Sequence, residues 1–153
     1  VGRGNNAVPG GSTNYLFRKD ILIKVNGYKE SLKFNEDFEL ILRIAKKWKF
    51  YGVDKVGFIQ YVREDSWSKS DLYVAYNGVE AFLETALEDE LLPVTEINLR
   101  RKQNKLSLVK RILVRRNKWK EAVPYIDEAF DIIRPQNIKE LTLFIFNKIL
   151  KFY

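Results

Sequence analysis

The chain contains no cysteine, no histidine and no methionine. Without cysteine, disulfides and thiolate metal sites are excluded. Without histidine, the commonest general base and the commonest metal ligand are both gone. Acid–base chemistry near neutral pH therefore falls to Asp, Glu, Lys or Tyr. Since translation normally begins with Met, a chain opening "VGRGNNAVPGG" is expected to be a processed product or an excised fragment. No apolar run reaches the length of a membrane span. No signal peptide is visible, although a removed one would leave no trace.

Glycine is also scarce in one region. After Gly78 there is none. The first dozen residues, by contrast, hold Gly2, Gly4, Gly10, Gly11 and Pro9, a loop-like composition. What the 153 residues do have is bulk: 46% are hydrophobic and 14% aromatic, enough for a core in a domain of ordinary size.

The net charge of +7 is unevenly placed. Residues 94–153 carry 14 basic and 6 acidic side chains, whereas residues 1–93 are nearly balanced. Residues 100–120 hold ten Lys or Arg and no acid, with Leu99, Leu106, Val109 and Leu113 forming one apolar stripe. That pattern suits an interfacial helix on an anionic membrane, or a basic face packed on the acidic stretch Glu84–Glu90. No nucleic-acid-binding signature accompanies it, so nucleic acid is not an expected partner.

Apolar spacing divides the chain near residue 70. Before it, "STNYLF", "KFYGV" and "VGFIQYV" have strand composition, and residues 13–17, 50–53 and 56–62 are expected to form a small mixed sheet. "RKDILIKV" has the spacing of a short helix that stops at Asn26–Gly27. A second helix is expected from Glu36 to Trp48, capped by Asn35. From Asp71 onward helical spacing predicts helices near 71–91, 95–116, 118–132 and 136–151. Pro93, Pro124 and Pro135 are expected to punctuate them, with Pro135 in a first turn. Trp119, Ala122, Tyr125 and Ala129 resemble one helix of a tetratricopeptide repeat. There is no second copy, and an array needs at least about three.

Two adjacent carboxylates, Glu36 and Asp37, open the second helix. Acids in a first turn are stabilised by the helix dipole, so the pair has an ordinary structural reading. Its surroundings give it another. Gly10 and Gly11 precede a strand-like segment ending Phe17–Arg18. A short helix then ends at Gly27–Tyr28 with Glu30 behind it. Glu36–Asp37 follows with Leu40 and Arg43, and the loop "DSWS" closes the series. In that order these elements resemble the acceptor-side half of a family 2 glycosyltransferase of the GT-A fold, over residues 8–70.

The resemblance implies an α/β fold: a partial GT-A-like mixed sheet over residues 1–70, followed by a helical region over 71–153. It implies an inverting transferase that moves a sugar from a nucleotide-diphosphate donor to a glycan or lipid-linked acceptor. Asp37 would be the general base and Glu36 its neighbour. Gly10, Gly11 and Ser12 would let backbone approach a sugar, or form an ordinary turn. Arg63 stands where the family often has a metal-ligating His, and would pair with phosphate oxygens. Trp67 would stack on a sugar or nucleotide, cover the site as part of a mobile lid, or simply fold onto the core. Arg43 is open between a structural ion pair or solvated residue and a functional role. A divalent metal, Mg or Mn, is expected for the complete enzyme, with its ligands mostly outside this chain, because no Asp-x-Asp motif is present. The expected location is cytoplasmic, peripheral at the inner face of the membrane. The contrasting class is a non-catalytic helical module whose basic face binds anionic membrane or a protein.

Overall fold

The computed structural model describes residues 15–52, 71–116 and 118–151. Two compact units divide the chain, Val1–Ser66 and Trp67–Tyr153.

In the first unit α1 spans Lys19–Lys24 and α2 spans Glu36–Ala45. The six residues of α1 are too few to be stable alone, and none of them is buried. A tight reversal ends the helix, in which Gly27 N–H donates to Leu22 O at 2.9 Å. Asn26 and Gly27 both take positive φ there, 58° and 59°. These are the two residue types that tolerate the left-handed region best. α2 is amphipathic, and it buries Leu40, Ile41 and Ile44 together with Glu39. With Leu32 these residues make a small core.

The mixed sheet expected over residues 1–70 is not formed among the described residues. Among the described residues every regular element is a helix. Residues 15–17 and 50–52 lie in irregular backbone, and the expected strand 56–62 lies outside the described residues. The physical reason is that β composition does not make a strand. A strand exists through its ladder, and even a paired hairpin is marginal without a third strand or a packed face. What residues 15–17 and 50 do form is an aromatic cluster. Tyr15 stacks on Phe17 with ring centroids 5.6 Å apart, and it meets Phe50 edge-on at 5.8 Å.

The second unit is four helices: α3 (Leu72–Glu88), α4 (Val94–Arg116), α5 (Trp119–Ile132) and α6 (Ile138–Leu150). Asp71 caps α3, its carboxylate accepting from Tyr73 N–H at 2.8 Å. Asn137 caps α6 in the same way, accepting from Glu140 N–H at 3.0 Å. Two proline expectations need correction. Pro124 does not end a helix but sits inside α5. It falls in the second turn, where the missing N–H forfeits one hydrogen bond. Pro135 precedes α6 rather than opening it.

α4 packs against both α3 and α5, and α5 carries α6. The core joins Leu72 of α3, Leu108, Val109 and Ile112 of α4, and Ala122, Ile126 and Phe130 of α5. Full burial of each large apolar side chain contributes about 1.5–3 kcal/mol, so this core is the main stabilising feature of the unit.

Candidate active site around Asp37

Asp37 and Glu36 occupy the first turn of α2, both half-buried. The N–H groups of a first turn have no partner within the helix. Asp37 Oδ1 takes one of them, accepting from Phe38 N–H at 2.7 Å. The expected side-chain cap from Asn35 is not made. Asn35 is instead left-handed, with φ 57° and ψ 22°, and it serves the helix only through its carbonyl, which accepts from Glu39 N–H at 2.9 Å. Asn35 is therefore the hinge of the entering turn rather than its cap.

Below this turn lies a charge that sequence reading passed over. Glu39 is fully buried. Arg43 grips it with two parallel bonds, Nε to Oε1 at 2.5 Å and Nη2 to Oε2 at 2.8 Å. The same guanidinium reaches back eighteen residues. Nη1 donates to Val25 O, and Nη2 donates to Gly27 O at 2.6 Å. The carbonyls at the end of α1 are orphaned by the geometry of a helix terminus, and Arg43 satisfies them. One planar cation thus ties the end of α1 to the first two turns of α2. Of the readings open for Arg43, the structure shows the ion pair. The four-residue spacing of Glu39 and Arg43 on an apolar face is the signal that could have found it.

Tyr15 lies within electrostatic reach of Asp37. Burial, and secondarily the Asp37 charge, raises the Tyr15 phenol above its ordinary value, so it stays protonated at neutral pH. The aromatic cluster of Tyr15, Phe17 and Phe50 thereby includes a neutral phenol that feels the charge at the start of α2. A carboxylate with one oxygen satisfied by backbone keeps acceptor capacity on the other, and can receive a proton from a hydroxyl.

The other expected site residues, Gly10, Gly11, Ser12, Arg63 and Trp67, lie outside the described residues. Among the described residues no group of three or more carboxylates could hold a cation.

Of the two arrangements expected of the basic stretch, the structure shows the packed one. Its apolar stripe faces the core: Val109 is buried, and Leu106 and Leu113 pack against the same cluster. Many of its cations are paired inside the unit. Arg101 pairs with Glu84, and Lys102, almost fully buried, with Glu140 at 2.7 Å. Lys105 meets both Glu128, at 2.5 Å, and Tyr76 Oη, at 3.0 Å. No helix among the described residues is long and apolar enough to cross a membrane.

Comparison with protein-family models, with curated proteins and with solved structures finds no match.

Proposed function

We propose that the unit around Asp37 is the acceptor-side catalytic element of an inverting glycosyltransferase, using a nucleotide-diphosphate sugar and a glycan or lipid-linked acceptor. The observation that carries this reading is the mounting of Asp37. Its carboxylate opens a helix whose entry is fixed by a buried, bidentate Glu39–Arg43 pair bound to the preceding turn. A buried ion pair is a weak source of stability, because desolvation offsets the attraction. Fixing geometry is the better account of it, and a base needs fixed geometry. The motif order from Gly27–Tyr28 through Glu36–Asp37 to Arg43 supports the same conclusion.

In the proposed reaction the acceptor hydroxyl attacks the anomeric carbon from the face opposite the leaving group. The bond from that carbon to the diphosphate oxygen breaks, and the electron pair leaves with the nucleotide diphosphate. Asp37 takes the hydroxyl proton as the glycosidic bond forms. Glu36, one residue away, points about 100° aside and supports the site without sharing the proton. Tyr15, protonated, donates a hydrogen bond to an acceptor oxygen. Phe17 and Phe50 offer apolar ring surface to a sugar ring.

The test is Asp37→Asn in the full-length protein. Transfer is measured from a panel of nucleotide-diphosphate sugars, together with donor affinity and thermal stability. Turnover should fall about 10²–10⁴-fold, the usual worth of a positioned base. Donor affinity should hold, and stability should fall by only about 0.3–1 kcal/mol of dipole interaction. Unchanged turnover would make Asp37 an ordinary first-turn acid and end the proposal.

A further inference from the structure

α6 is apolar nearly all round. Such a helix is normally enclosed on every side, yet α6 is enclosed on one. Its inner side is firmly mounted. Leu143 and Phe144 pack on the core, and Phe144 meets Phe130 edge-on at 5.4 Å. Asn147, fully buried, donates to Asp127 at 2.9 Å, and Glu140 is held by Lys102. The outer side cannot rotate inward without breaking these contacts.

On that outer side Ile138 is 83% exposed, Leu141 48%, Ile145 49%, Phe146 49% and Ile149 50%. Steps of three and four residues join Ile138, Leu141, Ile145 and Ile149, and Phe146 stands three before Ile149, so all five share one broad face. Thr142 also lies on it, but its hydroxyl donates to Ile138 O at 2.9 Å. The face therefore presents no unsatisfied donor. At 100° per residue, Lys139 and Lys148 stand on its two flanks. Lys148 lies 4.0 Å from Asp127 and 5.3 Å from the centre of the Phe144 ring, with half its side chain exposed.

Charge decides what covers this face. At the face itself the flanking charges are both positive, Lys139 and Lys148, and the one acid of α6, Glu140, is taken by Lys102. A second copy would bring the same charges against itself, whereas an anionic bilayer attracts each cation near its surface. We propose that α6 lies flat on an anionic lipid surface. Ile138, Leu141, Ile145, Phe146 and Ile149 enter the acyl boundary, and Lys139 and Lys148 remain at the headgroups. The helix has 13 residues, too short to span, so it rests on the membrane. The membrane face thus belongs to α6 and not to the basic helix α4.

Vesicle flotation of the full chain tests this, with phosphatidylglycerol–phosphatidylcholine vesicles against phosphatidylcholine alone. Binding should require the anionic lipid and weaken in about 1 M salt, where screening is short-ranged. Ile145→Glu with Ile149→Glu should lower the partition coefficient at least about tenfold, since two branched side chains leave the acyl boundary. Both positions are half exposed, and circular dichroism checks the fold. Ile145→Ser with Ile149→Ser is the gentler second pair, and it should weaken binding less than the Glu pair. Failure of the unmodified chain to bind anionic vesicles, or undiminished binding by folded variants, would overturn the proposal. A dimer in sedimentation that the same variants dissolve would overturn it too, giving the face to a second copy.

Discussion

Both units bury an ion pair, and they use it differently. In the first unit Glu39 and Arg43 stand four residues apart on one helix, and the Arg43 guanidinium also binds the carbonyls of Val25 and Gly27. In the second unit Lys102 reaches from α4 to Glu140 of α6 and to Arg134 O. The first pair secures a turn between two short helices over four buried aliphatic side chains. The second secures one helix on another, beside a core of seven buried residues. Where the core is large, the charge sets which helix faces which. Where it is small, the charge sets the backbone itself. A carboxylate that must be aimed is better placed in the second situation, and Asp37 is there.

The sharpest way to break this comparison is Arg43→Met. It leaves Glu39 buried with no cation and frees the carbonyls of Val25 and Gly27. Breaking a buried pair in this way typically costs about 3–5 kcal/mol. Amide protons of Leu40–Ile44 should lose exchange protection by a matching amount, while those of α4 and α5 keep theirs. If Glu39→Gln combined with Arg43→Met restored most of the protection, the cost would lie in the stranded charge. If it restored none, the cost would lie in the lost carbonyl bonds.

Fold and site were legible to different depths. Helical spacing after Asp71 exposed the four helices of the second unit, because a 3.6-residue apolar period over 13–23 residues admits little else. The stop at Asn26–Gly27 was legible because few residues accept positive φ. The sheet was misread because "KFYGV" reports what a strand would be made of, not whether a partner exists. The basic stretch left two arrangements open for a related reason. Lys102 and Lys105 look solvent-facing in sequence, and only tertiary neighbours show that Glu140 and Glu128 receive them. The outward face of α6 was missed because exposure cannot be read from a segment that is apolar on every side.

The second unit can be tested through Glu140, with a smaller expected effect. Burial alone would raise the Glu140 carboxyl. The hydrogen bonds from Lys102 and from the backbone N–H of Gln136 prevail, assisted by the nearby positive charge, and hold it below its ordinary value of 4.5. A carboxylate whose folded value is depressed contributes stability above its unfolded value. That stability is lost as pH falls through the folded one. Urea unfolding should therefore show the helical unit weakening below about pH 4.5. Glu140→Gln should cost about 2 kcal/mol at neutral pH, the loss of a charged hydrogen bond. It should also flatten the acid limb. An unchanged acid limb would show that another carboxylate governs it.

The two N-cap asparagines give the finest comparison. Asn137 has extended backbone, φ −148° and ψ 168°, and its side chain accepts from Glu140 N–H. Asn35 has left-handed backbone, and its side chain caps nothing. Serine separates these two roles, being as good an N-cap as asparagine but a poor occupant of the left-handed region. Asn137→Ser should be neutral. Asn35→Ser should cost about 1 kcal/mol through strain in the turn before Glu36–Asp37. Glycine, which enters that region without a steric penalty, should be tolerated at position 35. Chemical denaturation of the helical unit measures the first change, and exchange protection within α2 measures the second and third. Equal losses for serine at both positions would mean that Asn35 caps α2 through its side chain in solution. The turn beneath Asp37 would then be held by an ordinary cap as well as by Arg43.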